Sequence, residues 1–187
     1  MASRTGLRDR IQSLDASLTG PLTLSPGRGP AQLLALGLAH SGDSFIWAGL
    51  CVLAWFLGNT QWKMRAVVVF AGLVLAEIVV VGIKMCIRRP RPPGESGKIY
   101  RRADPFSFPS GHAARAAMLS FLAIVLGPCA AALGIAVWSP FMIVSRIAIG
   151  IHYVFDVVGG ILLGVLLTLA LLGLAPLLTT WLSVPGS

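Results

Sequence analysis

The stretch MRAVVVFAGLVLAEIVVVGIKMCIRRPRPP (64–93) decides what kind of chain this is. Between Arg65 and Lys84 the only charged side chain is Glu77. Such a run is as long as one helix needs to cross a bilayer, about 20 residues. It stops in a cluster of Arg and Pro, which ends a helix and stays with water or headgroups. Four more stretches read in the same way, at 44–60, 111–127, 130–150 and 155–182. With 64–84 they predict an all-α polytopic membrane bundle of five spans, the last long enough to tilt or project beyond the bilayer. Composition agrees: the 187 residues are 56% hydrophobic and 12% charged, where a soluble domain carries roughly twice that share of charge.

Ahead of the first span, Leu7, Ile11, Leu14 and Leu18 recur at helical spacing with charges between them, which predicts an amphipathic helix lying on the membrane surface. A Pro/Gly-rich stretch follows at 20–30. Residues 31–39 are apolar but too short to span and stop at His40-Ser41-Gly42-Asp43-Ser44. They read as a short interfacial or re-entrant helix, or, with their neighbours, as a sixth span. The division that follows is an amphipathic, interfacial segment over 1–43 and a membrane-embedded domain over 44–187. No apolar h-region stands near Met1, so no cleavable signal peptide is expected. Cys51, Cys86 and Cys129 are odd in number and widely spaced, which favours small apolar fillers over disulfides or zinc. The net charge of +8 fits the cations that membrane proteins gather beside their spans. Without zinc-finger spacing or a base-reading basic helix, nucleic-acid binding is not expected.

Three patches carry chemistry. His152 and Asp156 stand four residues apart, with Arg146 shortly before. On one helix face a carboxylate fixes the imidazole tautomer and leaves the other nitrogen free as base, ligand or nucleophile; alone, such a pair is as readily structural. Pro109-Ser110-Gly111-His112 opens a span. Free amides and the dipole at a helix start favour an anion, which Ser110 can cap or contact and Gly111 can let approach. A plain capped helix start explains Ser110 but leaves His112 without a reason. Lys84 and Arg91-Pro92 add a compact charge and a guanidinium fork suited to phosphate. Arg88, Arg89, Lys98, Arg101 and Arg102 read as ordinary cations anchoring the span.

In this order the patches resemble the three signature motifs of the type 2 phosphatidic acid phosphatase superfamily, which includes membrane lipid phosphate phosphatases, glucose-6-phosphatase and soluble vanadium haloperoxidases. The match runs from Lys84 to Asp156 and fills every motif position. SFPSGHAARAAM (107–118) also looks like the polyisoprenoid diphosphate phosphatases. The resemblance implies that His152 attacks phosphorus and forms a phosphohistidine. It makes Asp156 the carboxylate that orients His152, and His112 the acid and then base of the two steps. Lys84, Arg91, Ser110, the Gly111 amide and Arg146 would hold the phosphoryl oxygens. No metal and no cofactor is implied; Glu95 and Asp104 are the only acids of the long loop. The substrate expected is a lipid phosphate or polyprenyl diphosphate. A soluble phosphate ester is the alternative, and an anion channel or transporter the rival from another class.

Three expectations complete the reading. Intramembrane charges face a partner or a cavity, so Glu77 pairs with Arg115 under the site, or links to Lys84 through water. Gly160 and Gly164 mark close helix packing within the chain rather than a dimer face. Finally, five spans put the N-terminus and the site on one face. Without Lys84 and Arg91 that face holds Arg4, Arg8, Arg10, Arg28, Arg88, Arg89, Lys98, Arg101 and Arg102 against Lys63 and Arg65 on the other. The positive-inside rule then points the site to the cytoplasm.

Overall fold

The computed structural model describes residues 6–25, 27, 29–93 and 104–182. Among these, every regular element is helical: α1 (Leu7–Thr19) with a 3-10 turn (Gly20–Leu22), α2 (Pro30–Ser41), α3 (Ser44–Leu57), α4 (Thr60–Ile87), α5 (Gly111–Leu126), α6 (Cys129–Ala148) and α7 (Val154–Leu182). Arg4, Arg28, Glu95, Lys98, Arg101 and Arg102 lie outside the described residues.

Three helices are long and apolar enough to cross a membrane: α4, α6 and the Val154–Leu174 part of α7. The five-span expectation is therefore met only in part. α2 and α3 qualify together, as a pair bent by 52°. The polar interruption at Gly42 and Asp43 breaks the helix and makes 31–39 the first half of that pair. α5 has 16 residues, a rise of about 24 Å against a hydrocarbon core of about 30 Å. It is short because Ser110 caps its start and Gly127-Pro128 ends it.

α5 forms the centre. Ala113, Ala114, Ala116, Ala117, Met118 and Leu119 are all buried, and small side chains let neighbouring backbones come close. α7 uses that: a methyl added at Gly160 or Gly164 would overlap the carbonyls of Ser110 and Ala114. These two glycines thus serve packing inside the chain. A second cluster joins Cys51 of α3, Ala66, Leu73 and Ala76 of α4, and Met118 and Leu122 of α5. α2 is packed into the bundle through Ala35 and Ala39 on Ile149 and Ile151. Its broken end is clamped to the rest, since the Trp47 indole donates to Ser41 O (3.1 Å) and the Trp138 indole to Ser41 Oγ (2.8 Å). Cys51 is buried, whereas Cys86 and Cys129 are exposed. Large apolar side chains such as Phe56, Ile78, Phe141 and Leu166 point outward, as a lipid-facing surface requires.

The end of α4, the start of α5, the end of α6 and the start of α7 gather at one end of the bundle. The two described ends of the long loop are pinned together there, with Ser107 N donating to Arg89 O (2.8 Å) and a bridge between Pro90 and Phe106.

Candidate active site

His152 sits in the short connection between α6 and α7. The chain reaches it through Gly150 (φ +72°), a conformation that favours glycine. The imidazole is buried. Its Nε2 lies 3.3 Å from Arg91 Nη1, and its Nδ1 lies 3.6 Å from Asp156 Oδ2. The second distance is long for a hydrogen bond but within reach of an ion pair. The two residues do not share a helix face, because α7 begins only at Val154. Asp156 lies in its first turn and accepts from Tyr153 N through Oδ2 (2.9 Å), so the carboxylate caps its own helix while facing His152. Burial pushes the His152 imidazole down to about 4; the Arg91 and Arg146 charges act in the same direction and Asp156 opposes them.

Lys84, Arg91 and Arg146 are all buried. Arg91 donates from Nε to Asp104 O (2.7 Å), from Nη1 to Ile151 O (3.0 Å) and from Nη2 to Asp104 Oδ2 (2.7 Å). Lys84 Nζ pairs with the same Asp104 oxygen. The Asp104 carboxylate thus joins two of the cations expected to hold phosphate, whereas the sequence marks it only as a loop acid. Arg146 Nη1 donates to Ala39 O across the α2 contact (3.2 Å).

Ser110 caps α5, accepting from Ala113 N (3.4 Å), and its own amide donates to Asp156 O (2.9 Å). This ties the helix that carries His112 to the one that carries Asp156. A Cβ on Gly111 would stand 3.3 Å from Val80 Cγ1, so this glycine also lets α5 approach α4. His112 Nδ1 lies 3.2 Å from Arg115 Nη2, and its Nε2 lies 2.8 Å from Asp43 Oδ1. Arginine only donates, so Nδ1 accepts and the hydrogen-bond network assigns the proton to Nε2, which donates to Asp43.

The expected Glu77–Arg115 pair is present, with Arg115 Nη1 2.8 Å from Glu77 Oε2; Lys84 is engaged by Asp104 instead. Arg115 thereby reaches further than expected, joining Glu77 to His112. Asp43, from the α2–α3 break, is a partner that sequence reasoning missed, and its Oδ2 also meets His40 Nδ1 (3.1 Å). The polar run 40–44 is visible in the sequence, but nothing local ties it to a histidine 69 residues away. Arg89 corrects a second expectation. It is no simple anchor, since Nη1 pairs with Asp156 Oδ1 and Nη2 with Asp15 Oδ2, both at 2.7 Å. Arg88 stays exposed among the described residues, with its Nε donating locally to Met85 O.

Two histidines, each beside a carboxylate, and three buried cations at one end of a helical bundle make an arrangement for moving a phosphoryl group. The chain belongs to the PAP2 superfamily, whose model matches residues 65–179, and it is a phosphatase of that family. Among its relatives is the decaprenylphosphoryl-5-phosphoribose phosphatase of Mycobacterium tuberculosis, 30% identical over 131 residues, covering 70% of this chain and 72% of that protein. The Mycolicibacterium smegmatis protein of the same name is 32% identical over 157 residues, covering 82% and 84%. In fold, the chain resembles the PAP2-type phosphatidylglycerolphosphate phosphatase of Bacillus subtilis (TM-score 0.70, 24% identity, 93% of this chain and 89% of that one). It also resembles Aquifex aeolicus LpxE (TM-score 0.64, 19% identity, 92% and 99%).

Proposed function

We propose that this protein is an integral membrane phosphohydrolase that removes phosphate from a prenyl-type lipid phosphate through a phosphohistidine on His152, without a metal ion. One observation carries the reading: the buried His152 presents Nε2 to Arg91 and Nδ1 to the Asp156 carboxylate. An imidazole so placed is neutral at physiological pH, oriented, and aimed at a cationic pocket.

In the first step Nε2 attacks phosphorus in line. The bond to the ester oxygen breaks, and His112, which in the substrate complex carries a second proton at Nδ1 in place of the Arg115 contact, passes its Nε2 proton to that leaving oxygen and is left as the neutral imidazole. In the second step water attacks the phosphohistidine while His112 takes a proton from it; the P–N bond breaks and inorganic phosphate leaves. Lys84, Arg91, Ser110, the Gly111 amide and Arg146 neutralise the phosphoryl oxygens, the term that dominates phosphoryl transfer. Substrate phosphate takes the place that Asp104 holds between Lys84 and Arg91. Among the described residues no three His, Cys, Asp or Glu side chains are arranged to hold a metal ion, and the buried cations take on that task.

The two mycobacterial relatives favour a polyprenyl-linked sugar phosphate as the first substrate to test, with polyprenyl diphosphate beside it. The bundle crosses the membrane five times, counting α2 with α3 as one broken span and α5 as a short one. Leaving out Arg89 as well, the cation count is still eight to two (nine less one, against Lys63 and Arg65) in favour of a cytoplasmic site.

The test is phosphate release from a panel of lipid phosphates by purified protein. His152→Ala abolishes turnover and phosphoenzyme. His112→Ala abolishes turnover but lets a phosphoenzyme accumulate with a good leaving group. Vanadate inhibits and EDTA does not. Near-normal release by His152→Ala would overturn the mechanism, and loss in chelator with recovery in Mg²⁺ would replace it with a metal mechanism.

A further inference from the structure

α1 does not simply lie on the membrane. Its apolar stripe, Leu7, Ile11, Leu14 and Leu18, is exposed, whereas Asp15 and Thr19 are buried. These two polar residues lie about a quarter-turn round the helix from the stripe, and they dock α1 onto the start of α7. Asp15 Oδ1 accepts from Phe155 N (3.0 Å) and Thr19 Oγ1 from Val154 N (3.1 Å). Both amides belong to the first turn of α7, where no intrahelical acceptor exists. Asp15 Oδ2 meets Arg89 Nη2, and Arg89 Nη1 meets Asp156 Oδ1, each at 2.7 Å. The guanidinium also lies over the Tyr153 ring, 4.3 Å from its centroid.

A continuous path therefore leads from an amphipathic surface helix to the carboxylate beside His152. Asp156 Oδ1 meets Arg89, while Oδ2 accepts from Tyr153 N and faces His152, so Arg89 and the Tyr153 amide together set the direction in which the carboxylate faces. The stripe continues the lipid-facing surface: Leu7 and Ile11 line a largely apolar cavity of about 480 Å³ with Ile87, Phe108 and Phe155.

We propose that α1 is a membrane-seated positioning element, with its apolar stripe held in the bilayer interface and Asp15 and Arg89 as positioning residues that orient Asp156 against His152. This rests on His152 being the nucleophile. A helix seated in lipid on one side and bonded to the catalytic helix on the other couples turnover to the presence of a lipid surface.

The test uses the full chain in phosphatidylglycerol/phosphatidylethanolamine vesicles, with p-nitrophenyl phosphate and a lipid phosphate as substrates. Asp15→Asn keeps an acceptor for Phe155 N but loses the ion pair with Arg89. It and Arg89→Gln each lower kcat about tenfold or more, with KM changed less than about twofold. The double variant is no slower than the worse single one, because both cut one path. Leu14→Asp with Leu18→Asp leaves the bridge residues in place and lowers kcat in vesicles to the same extent. A normal kcat in Asp15→Asn, losses that multiply in the double variant, or a stripe variant with full activity in vesicles would each overturn the proposal. His152→Ala is run alongside: if it is inactive while Asp15→Asn is normal, α1 alone is misassigned; if it is active, the nucleophile is.

Discussion

Replacing Arg91 by lysine keeps the charge and removes the geometry. Arg91 serves Asp104 O, Ile151 O, His152 Nε2 and Asp104 Oδ2 from three separate nitrogens. A lysine has one nitrogen and cannot span these positions. Its Nζ can keep company with Lys84 at the Asp104 carboxylate, or with phosphate in its place. The bond to Ile151 O, which steadies the connection carrying His152, is then lost together with one arm of the fork on the phosphoryl group. Counting a single net charge-assisted bond, about 1.5–3 kcal/mol is removed from the transition state, a fall in kcat/KM of roughly 10- to 150-fold. The assay is initial-rate phosphate release in detergent, with kcat and KM separated and folding checked by thermal melting. Most of the loss falls on kcat, because the fork meets the oxygens best as charge develops. Arg91→Lys within about threefold of wild type in kcat/KM would show that the fork geometry contributes little and that the pocket works as a simple field of charge.

Other outcomes can be checked in the same way. Because burial holds His152 down at about 4, the acid limb that it sets in kcat/KM, corrected for substrate ionisation, falls near that pH; a nucleophile limb at about 6.5, the ordinary imidazole value, contradicts the buried site. The same shift affects stability. Between about 6.5 and about 4 the unfolded chain takes up this proton and the folded one does not, so His152 subtracts from stability as pH falls through that window. Asp43→Asn removes the carboxylate that favours the protonated form of His112, costing about tenfold or more with an alkyl phosphate and less with p-nitrophenyl phosphate, whose leaving group needs little protonation; equal losses on both would remove Asp43 from that role. Arg115→Gln costs about tenfold or more and Glu77→Gln only a few-fold, because Arg115 also touches His112 and Gly42 O; the reverse order would refute the path. With native cysteines replaced, Asn59→Cys, on the connection opposite the site, is labelled by an impermeant maleimide in intact cells; labelling only after lysis would put the site outside.

The motif residues could be picked out in the sequence because each carries its chemistry in its side-chain type, and the fold gathers them at one end of the bundle. The Glu77–Arg115 pair was legible for another reason: two opposite charges within apolar runs have few other ways to be satisfied. Arg89 was not legible. An arginine after an apolar span looks like an anchor, and only the fold brings Asp15 and Asp156 to either side of it. α1 is a helix where the periodicity places one, but periodicity reports the apolar stripe and says nothing of what the polar flank binds. The bounds of α5 were legible to within a residue, since Gly127-Pro128 ends the apolar run where the helix ends. The α2–α3 break was visible as a polar run, whereas its depth beside His112 depends on how α2 packs on α6.

That break sets two selective pressures against each other. Gly42 and Asp43 interrupt what would otherwise be one apolar helix, and residues there supply a carboxylate to His112, a carbonyl to Arg115 and, a turn earlier, a carbonyl to Arg146. Substitutions that straighten the segment, such as Asp43→Leu, add helical hydrogen bonds and apolar contact with lipid. They also take one partner away from each of His112, Arg115 and Arg146. Directed evolution for heat resistance alone would therefore be drawn to positions 42 and 43 and would return sturdier proteins with little turnover. Selection on both traits at once would leave this corner untouched and find its gains at the far ends of the helices.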